Sequence, residues 1–229
     1  MLDLQIDGAI AILTLRGPNG NRLDAETARA LAAAWRRIGA DAAIRCAILT
    51  GAGDTFCEGS DGELPVSLDP TDYDVWTPVV IAVNGRCAGA GLRFVGQGDI
   101  ILAAEGAIFA GAPLDEGVPY EDFLYQRRRL PMPLAELLVL TGGAWTIDAA
   151  RAAEVGWVSE VLPAAQLLPR ARQLAEAVAR NDPHAVRRAK EVIVRGRDVF
   201  TRDAVEQGRA AVLPLAHNRA AHHAILARA

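Results

Sequence analysis

The sequence predicts an α/β fold with a largely parallel, buried sheet. Short apolar runs, "CAILT" (46–50), "VVIAV" (79–83) and "IILA" (100–103), recur with helices between them. Strands apolar along their whole length belong to sheets covered on both faces, as βα units produce. The opening residues alternate instead, Leu2, Leu4 and Ile6 with polar neighbours, the pattern of a hairpin strand. From about Pro133 the texture turns helical. The expected organisation is a core of ββα character over residues 1–132 and a helical C-terminal region over 133–229, with no long linker between them.

In chain order, Leu2 to Ile6 and Ala9 to Leu15 form a β-hairpin about the Asp7-Gly8 turn. "GPNGNRLD" is a loop. A helix follows from about Ala25 to Ile38, with Leu31, Ala34, Trp35 and Ile38 on its apolar stripe. The three apolar strands come next, and Ala107 to Phe109 is a candidate fourth. Beyond them "LAELLVLTGG" is a helix ended by glycines, "TIDAARAAEVGWV" a helix with Thr146 as N-cap, and "LLPRARQLAEAVARN" an amphipathic helix. "DPHAVRRAKEVIVRGRD" is a helix capped by Asp182 with Pro183 in its first position.

Composition narrows the function classes. Of 229 residues 51% are hydrophobic and 23% charged, enough to bury a core and too apolar for a disordered chain. Aromatics are 5%, so that core is built from Ala, Val, Leu and Ile. A formal charge of -4 argues against a nucleic-acid partner. "MLDLQIDG" is acidic and alternating, unlike the basic and apolar regions expected of a leader peptide, and no run of about 18 apolar residues marks a membrane span. Cys46, Cys57 and Cys87 lack metal-ligand spacing, which fits free thiols in a reducing compartment. The expectation is a cytoplasmic protein without a membrane partner.

The stretch "VVIAVNGRCAGAGLRFVGQGD" (79–99) concentrates glycines after a strand. A dinucleotide fingerprint would need a third glycine after Gly89-Ala90-Gly91, and a phosphate loop would need Gly-Lys-Ser/Thr; neither is present. The remaining chemical reading is a strand-to-helix turn whose backbone N–H groups receive an anion or a developing oxyanion. "LTGAGDTFCEGSDGEL" supplies a second such turn, Gly59-Ser60-Asp61-Gly62. Either turn alone is more often simple chain reversal than a site; the pair, after adjacent strands, points to a site.

"RGPNGNRLDAE", "ILTGAGDTFCEGSD", "TPVVIAVNGRCAGAGLRFVGQGDIILAAEGAIFAGAPLDEGVP" and "ELLVLTGGAWTIDAARAAEVGWVSEVLP", standing in this order, resemble the enoyl-CoA hydratase/isomerase (crotonase) superfamily over roughly residues 1–195. The resemblance implies a spiral of ββα repeats and a C-terminal helical trimerisation region, with trimers often paired into hexamers. It implies an acyl-CoA substrate, coenzyme A entering as part of the substrate and no permanently bound cofactor. Carried over by position, the thioester carbonyl lies between the backbone N–H groups of Ser60 and Ala90. Ala90 in place of the usual glycine keeps that donor provided its φ is negative. Asp61, Leu64 and Arg93 are the substrate-binding candidates.

The departures from the family pattern redirect the chemistry. The two glutamates with which the family's hydratases activate and deliver water correspond here to Arg93 and Pro113, and neither transfers a proton at neutral pH. In branches lacking that pair, including certain Δ3,Δ2-enoyl-CoA isomerases, an aroyl-CoA dehalogenase and a β-diketone hydrolase, one acid follows the "GVP"-like turn. That position corresponds to Glu121, or to Asp122 with a slip of one residue. The resemblance so implies allylic isomerisation, or else C–C hydrolysis or decarboxylation on the same fold, or a non-catalytic scaffold. Arg93 either meets a substrate carboxylate or Glu121, or pairs structurally with Asp99 or Glu116. Glu63 stands where a coenzyme-holding lysine is frequent, and the segment between Leu64 and Trp76 is shorter than the family's usual lid.

Other charged groups are weaker candidates. Arg187, Arg188 and Lys190 are possible contacts for the adenosine phosphates, and Arg127, Arg128 and Arg129 a helix start facing solvent or another subunit. His217, His222 and His223 lack the spacing of a metal site, so no metal is expected. Ser60 sits in no G-x-S-x-G nucleophile turn. Cys57 and Cys87, beside the two donor turns, read as small core residues.

Overall fold

The computed structural model describes residues 1–62, 64–112 and 129–198. The expected hairpin is present: β1 (Leu2–Asp7) runs antiparallel to β2 (Ile10–Leu15). Gly8 in the turn takes φ +57°, which glycine adopts without a Cβ penalty. Helix α1 (Ala25–Ala40) starts at Asp24, whose carboxylate accepts the Thr27 N–H at 2.7 Å. It buries Leu31, Ala34, Trp35 and Ile38, the stripe its period requires.

Three units then repeat one plan, each a strand followed by a very short second strand. They are β3 (Cys46–Gly51) with β4 (Thr55–Cys57), β5 (Val79–Val83) with β6 (Arg86–Ala88), and β7 (Ile100–Ala104) with β8 (Ile108–Ala110). Helix α2 (Gly91–Gln97) closes the second unit. The first strands pair in parallel, β3 with β5 and β5 with β7. The second strands pair in parallel in another sheet, β4 with β6 and β6 with β8. Each turn of the chain therefore adds one strand to each sheet, which is how a ββα spiral is built.

The C-terminal segment completes both sheets: β9 (Thr146–Asp148) pairs antiparallel with β8, and β10 (Glu160–Leu162) parallel with β7. Among the described residues the larger sheet has the order β1-β2-β3-β5-β7-β10 and the smaller β4-β6-β8-β9. Thr146 therefore opens a strand, not a helix as its sequence implies. Ile147 is buried opposite Phe109, and Asp148 caps α4 (Ala149–Glu154), its carboxylate accepting the Arg151 N–H at 2.7 Å. Helix α3 (Met132–Leu140) precedes this strand.

Both faces of the central strands β3, β5 and β7 are covered, hence they show no alternation of polarity. Ala47, Leu49, Val79, Ile81 and Ile101 belong to the main core with the α1 stripe. Ile48, Val80, Ala82 and Leu102 face Leu167, Ala171 and Ala175 of α5 (Ala164–Ala179). Ala171 and Ala175 lie one turn apart, so the helix presents small side chains to the sheet.

The last described helix, α6 (Pro183–Asp198), begins as expected, with the Asp182 carboxylate accepting the Ala185 N–H at 2.8 Å. One of its cations is buried rather than offered to a phosphate. The Lys190 side chain is 4% exposed, its Nζ lies 2.8 Å from Asp99 Oδ2, and it donates to Thr77 O at 3.0 Å. Arg188 is paired with Glu191 at 2.6 Å. Arg129 turns inward, donating to the carbonyls of Gly98 and Asp99. Arg127, Arg128, His217, His222 and His223 lie outside the described residues. No described helix is long and apolar enough to cross a membrane.

Candidate active site

The site is assembled where the β4 and β6 ends meet. Gly59 follows β4 with φ +119°, and Gly89 follows β6 with φ +49°; both values favour glycine. The two turns touch: a Cβ on Gly89 would lie 3.4 Å from the Gly59 Cα. At Gly91 the approach is tighter, since a Cβ there would stand 2.6 Å from the Cys57 carbonyl oxygen. The glycines in the 79–99 stretch thus admit this chain's own backbone, bringing one donor turn against the other. At the preceding turn, a Cβ on Gly85 would sit 1.7 Å from Asp54 O. There Asn84 accepts the Gly51 N–H at 3.0 Å and donates to Gly53 O at 2.9 Å. Asn21 donates to Ala52 O and Thr55 O at 2.9 and 2.7 Å, so the turn before β4 is held from two sides.

Ser60 and Ala90 are the residues next after the touching glycines. Ser60 forms an isolated parallel bridge with Leu23. Its bonds are Leu23 N–H to Gly59 O at 2.9 Å and Asp61 N–H to Leu23 O at 2.8 Å. In a parallel bridge of this kind the central residue's own N–H points away from the partner strand. The Gly59 carbonyl, on the donor peptide itself, also receives the Cys57 thiol at 3.5 Å. Ala90 has φ -58° and ψ -23° at the start of α2, the negative φ that an L-residue donor requires. Among the described residues neither the Ser60 nor the Ala90 N–H has a hydrogen-bond partner. Amides left open at strand-to-helix turns are the groups that can receive a developing oxyanion.

The other candidates fall around them. Arg93 is half-buried in the first turn of α2, and its N–H bonds to Ala90 O at 3.2 Å. Three residues apart on a helix, it shares the face of Ala90. Asp99, one of the acids expected to pair with Arg93, accepts from Lys190 and from the Val79 N–H at 2.7 Å. Asp61 is paired to Arg22 Nε at 2.6 Å, and Leu64 packs against the main core. Glu63, Pro113, Glu116, Glu121 and Asp122 lie outside the described residues.

The short segment before β5 is a pinned structure and not a free flap. Asp69 caps the 3-10 turn Pro70–Tyr73 through the Thr71 N–H at 2.8 Å. Tyr73 Oη donates to Ser67 O at 2.8 Å, and Trp35 Nε1 to Leu68 O at 3.2 Å. Beneath it a cavity of about 10 Å³, lined by Trp35, Leu49, Ile81, Phe94 and Gln97 among others, has room for one water and not for an acyl chain. Burial pushes the thiols of Cys46 and Cys57 up to about 12, and that of Cys87 well above its ordinary value. All three stay protonated, so none is a nucleophile.

Nothing in the residue pattern singles out Arg22, yet its guanidinium clasps the first donor turn. It donates to Glu58 O at 3.1 Å, to Ser60 O, and to Asp61. Two of its three partners are main-chain carbonyls, which leave no mark on the sequence.

Comparison with known proteins identifies the family. An enoyl-CoA hydratase/isomerase family model matches residues 5–222. The chain is 30% identical over 224 residues to the (E)-benzylidenesuccinyl-CoA hydratase of Thauera aromatica, covering 86% of this chain and 83% of that one. It is 32% identical over 200 residues to the enoyl-CoA hydratase EchA19 of Mycobacterium tuberculosis, covering 78% and 74%. The crystal structure of an enoyl-CoA hydratase from Mycobacterium tuberculosis H37Rv superposes with a TM-score of 0.86 at 29% identity, over 95% of this chain and 99% of that one. The paired sheets, the two touching glycine turns and these matches agree: the chain has the crotonase fold and belongs to the enoyl-CoA hydratase/isomerase family.

Proposed function

We propose that this protein deprotonates an acyl-CoA thioester next to its carbonyl, holds the enolate between the N–H groups of Ser60 and Ala90, and returns the proton elsewhere, as an enoyl-CoA isomerase does. The observation that carries the reading is the contact of the two glycine turns, each followed by an amide without a hydrogen-bond partner among the described residues. Coenzyme A enters as the thiol half of the substrate, in keeping with the coenzyme A esters named for its relatives. In a 3-enoyl-CoA the base takes a proton from C2, the electron pair moves onto the thioester oxygen, and protonation at C4 shifts the double bond to C2–C3. Glu121, or Asp122 beside it, is the proposed base. Although the relatives are named as hydratases, Arg93 and Pro113 stand where the two water-handling glutamates belong, which disfavours water addition here.

The test is 3-hexenoyl-CoA in D2O followed by NMR. Deuterium should enter at C2 and C4 as the 2-enoyl product forms, and Glu121→Gln should abolish both. Unchanged turnover in that variant removes Glu121 from the role; hydration of crotonyl-CoA without isomerisation overturns the reaction class. A second reading, decarboxylation or C–C hydrolysis of an acyl-CoA bearing a carboxylate, draws support from the Arg93 cation on the face of Ala90. Turnover of malonyl-CoA or a β-keto acyl-CoA, with none of 3-hexenoyl-CoA, would favour it.

A further inference from the structure

We infer that Arg22 is a positioning residue for the oxyanion site, holding the Ser60 N–H in its donating direction. The inference rests on the oxyanion reading above and adds to it what fixes the first donor. The donor amide belongs to the Gly59–Ser60 peptide. Arg22 brackets that peptide: Nη1 donates to the carbonyl before it, Glu58 O, at 3.1 Å, and Nη2 to the carbonyl after it, Ser60 O. Nε ties to Asp61 Oδ1 at 2.6 Å, which anchors the fork from the far side. The guanidinium also lies over Gly59, where an added Cβ would be 3.5 Å from Nη1.

The backbone of the same residue pair holds the remaining carbonyl, since Gly59 O accepts the Leu23 N–H. All three consecutive carbonyls, from Glu58 through Gly59 to Ser60, are therefore fixed by the Arg22-Leu23 dipeptide. A peptide whose own and neighbouring carbonyls are held cannot rotate, and its N–H direction is set. Gly59 at φ +119° carries no Cβ to restrict its backbone, so the peptide that follows it needs such a hold. The planar fork of arginine suits this task, whereas lysine offers a point charge that cannot span two carbonyls and a carboxylate in fixed geometry.

The experiment compares [1-13C]acetyl-CoA with S-ethyl-CoA, which lacks the carbonyl, on the wild type, Arg22→Met and Arg22→Lys. A polarised carbonyl moves its 13C resonance downfield on binding. The wild type should show that shift. Arg22→Met should lose at least half of it while binding S-ethyl-CoA as before, because only the carbonyl-dependent part of binding needs the aligned amide. Arg22→Lys, which retains the charge, should also lose it; a full rescue by lysine would make the role one of charge and overturn the positioning assignment. A full shift in Arg22→Met refutes it likewise. If the methionine variant does not fold, the lysine variant decides the matter by the same readout. A wild type that binds acetyl-CoA with no carbonyl shift refutes the oxyanion reading itself, and the role of Arg22 with it.

Discussion

Gly91→Ala sets two physical effects against each other. Alanine is the better helix former by up to about 1 kcal/mol, and Gly91 is the first residue of α2, so local propensity alone forecasts a more stable protein. The structure forecasts the opposite. The new Cβ would lie 2.6 Å from Cys57 O and 3.0 Å from Cys57 Cβ, while an ordinary C···O contact is about 3.3 Å or more. One backbone or the other must move by roughly 0.7 Å to restore it. Neither moves freely: Cys57 is fully buried and its strand pairs with β6. Overpacking of this kind costs about 1–3 kcal/mol, which leaves a net loss of up to about 2 kcal/mol after the helix gain. For a domain of this size that lowers Tm by up to about 8 °C. The same displacement separates the Ser60 and Ala90 amides, and misplacement approaching about 1 Å costs up to about 100-fold in rate. Thermal denaturation, paired with the C2 proton-exchange rate on 3-hexenoyl-CoA, reads both. A raised Tm with unchanged exchange would refute the argument that these glycines exist to let the two turns touch.

Three further outcomes follow from the same contacts. Lys190→Met strands the Asp99 carboxylate and should destabilise the protein by about 3 kcal/mol in urea unfolding, with Lys190→Met/Asp99→Asn recovering much of the loss; an additive double variant would show that the pair does not interact. All three cysteines are fully buried, so an exchanging disulfide reagent should label none in the native protein and all of them after unfolding. The Thr27 N–H holds the Asp24 carboxyl below its ordinary range, as the Arg170 hydrogen bonds do for Glu160 and the Arg188 and Arg195 hydrogen bonds for Glu191. A depressed carboxylate adds stability that is present above its unfolded value and lost as pH falls through the folded one, so Tm should hold near neutrality and decline below about pH 4. A Tm constant to about pH 3 would contradict those assignments.

The larger sheet is legible in the sequence except for its last strand, β10, and the smaller one is not. β3, β5 and β7 are apolar along their whole length because α5 covers one face and the main core the other, and that continuity is visible in one dimension. β4, β6, β8 and β9 are three residues each, too short to carry a period, and only their partners across the spiral make them strands. β8 alone is foreshadowed, one residue early. The donor turns are visible because glycine beside a strand end is a local signal. Arg22 is not, since two of its three partners are main-chain carbonyls and the third, Asp61, lies 39 residues away. Lys190 misleads for a related reason: a lysine on an amphipathic helix reads as solvated until a buried carboxylate such as Asp99 is seen beneath it.

In the proposed reaction two backbone amides perform the electrostatic work. Ala90→Pro removes one of them, because φ -58° already suits proline and the substitution takes away the N–H. Ser60→Ala is the control, since the Ser60 hydroxyl donates only to Gly62 O among the described residues, and its loss should leave the rate unchanged. Measured as C2 proton exchange on 3-hexenoyl-CoA by the folded variants, Ala90→Pro should be slower by about 10²–10³. A folded Ala90→Pro protein that exchanges at the wild-type rate would contradict the account.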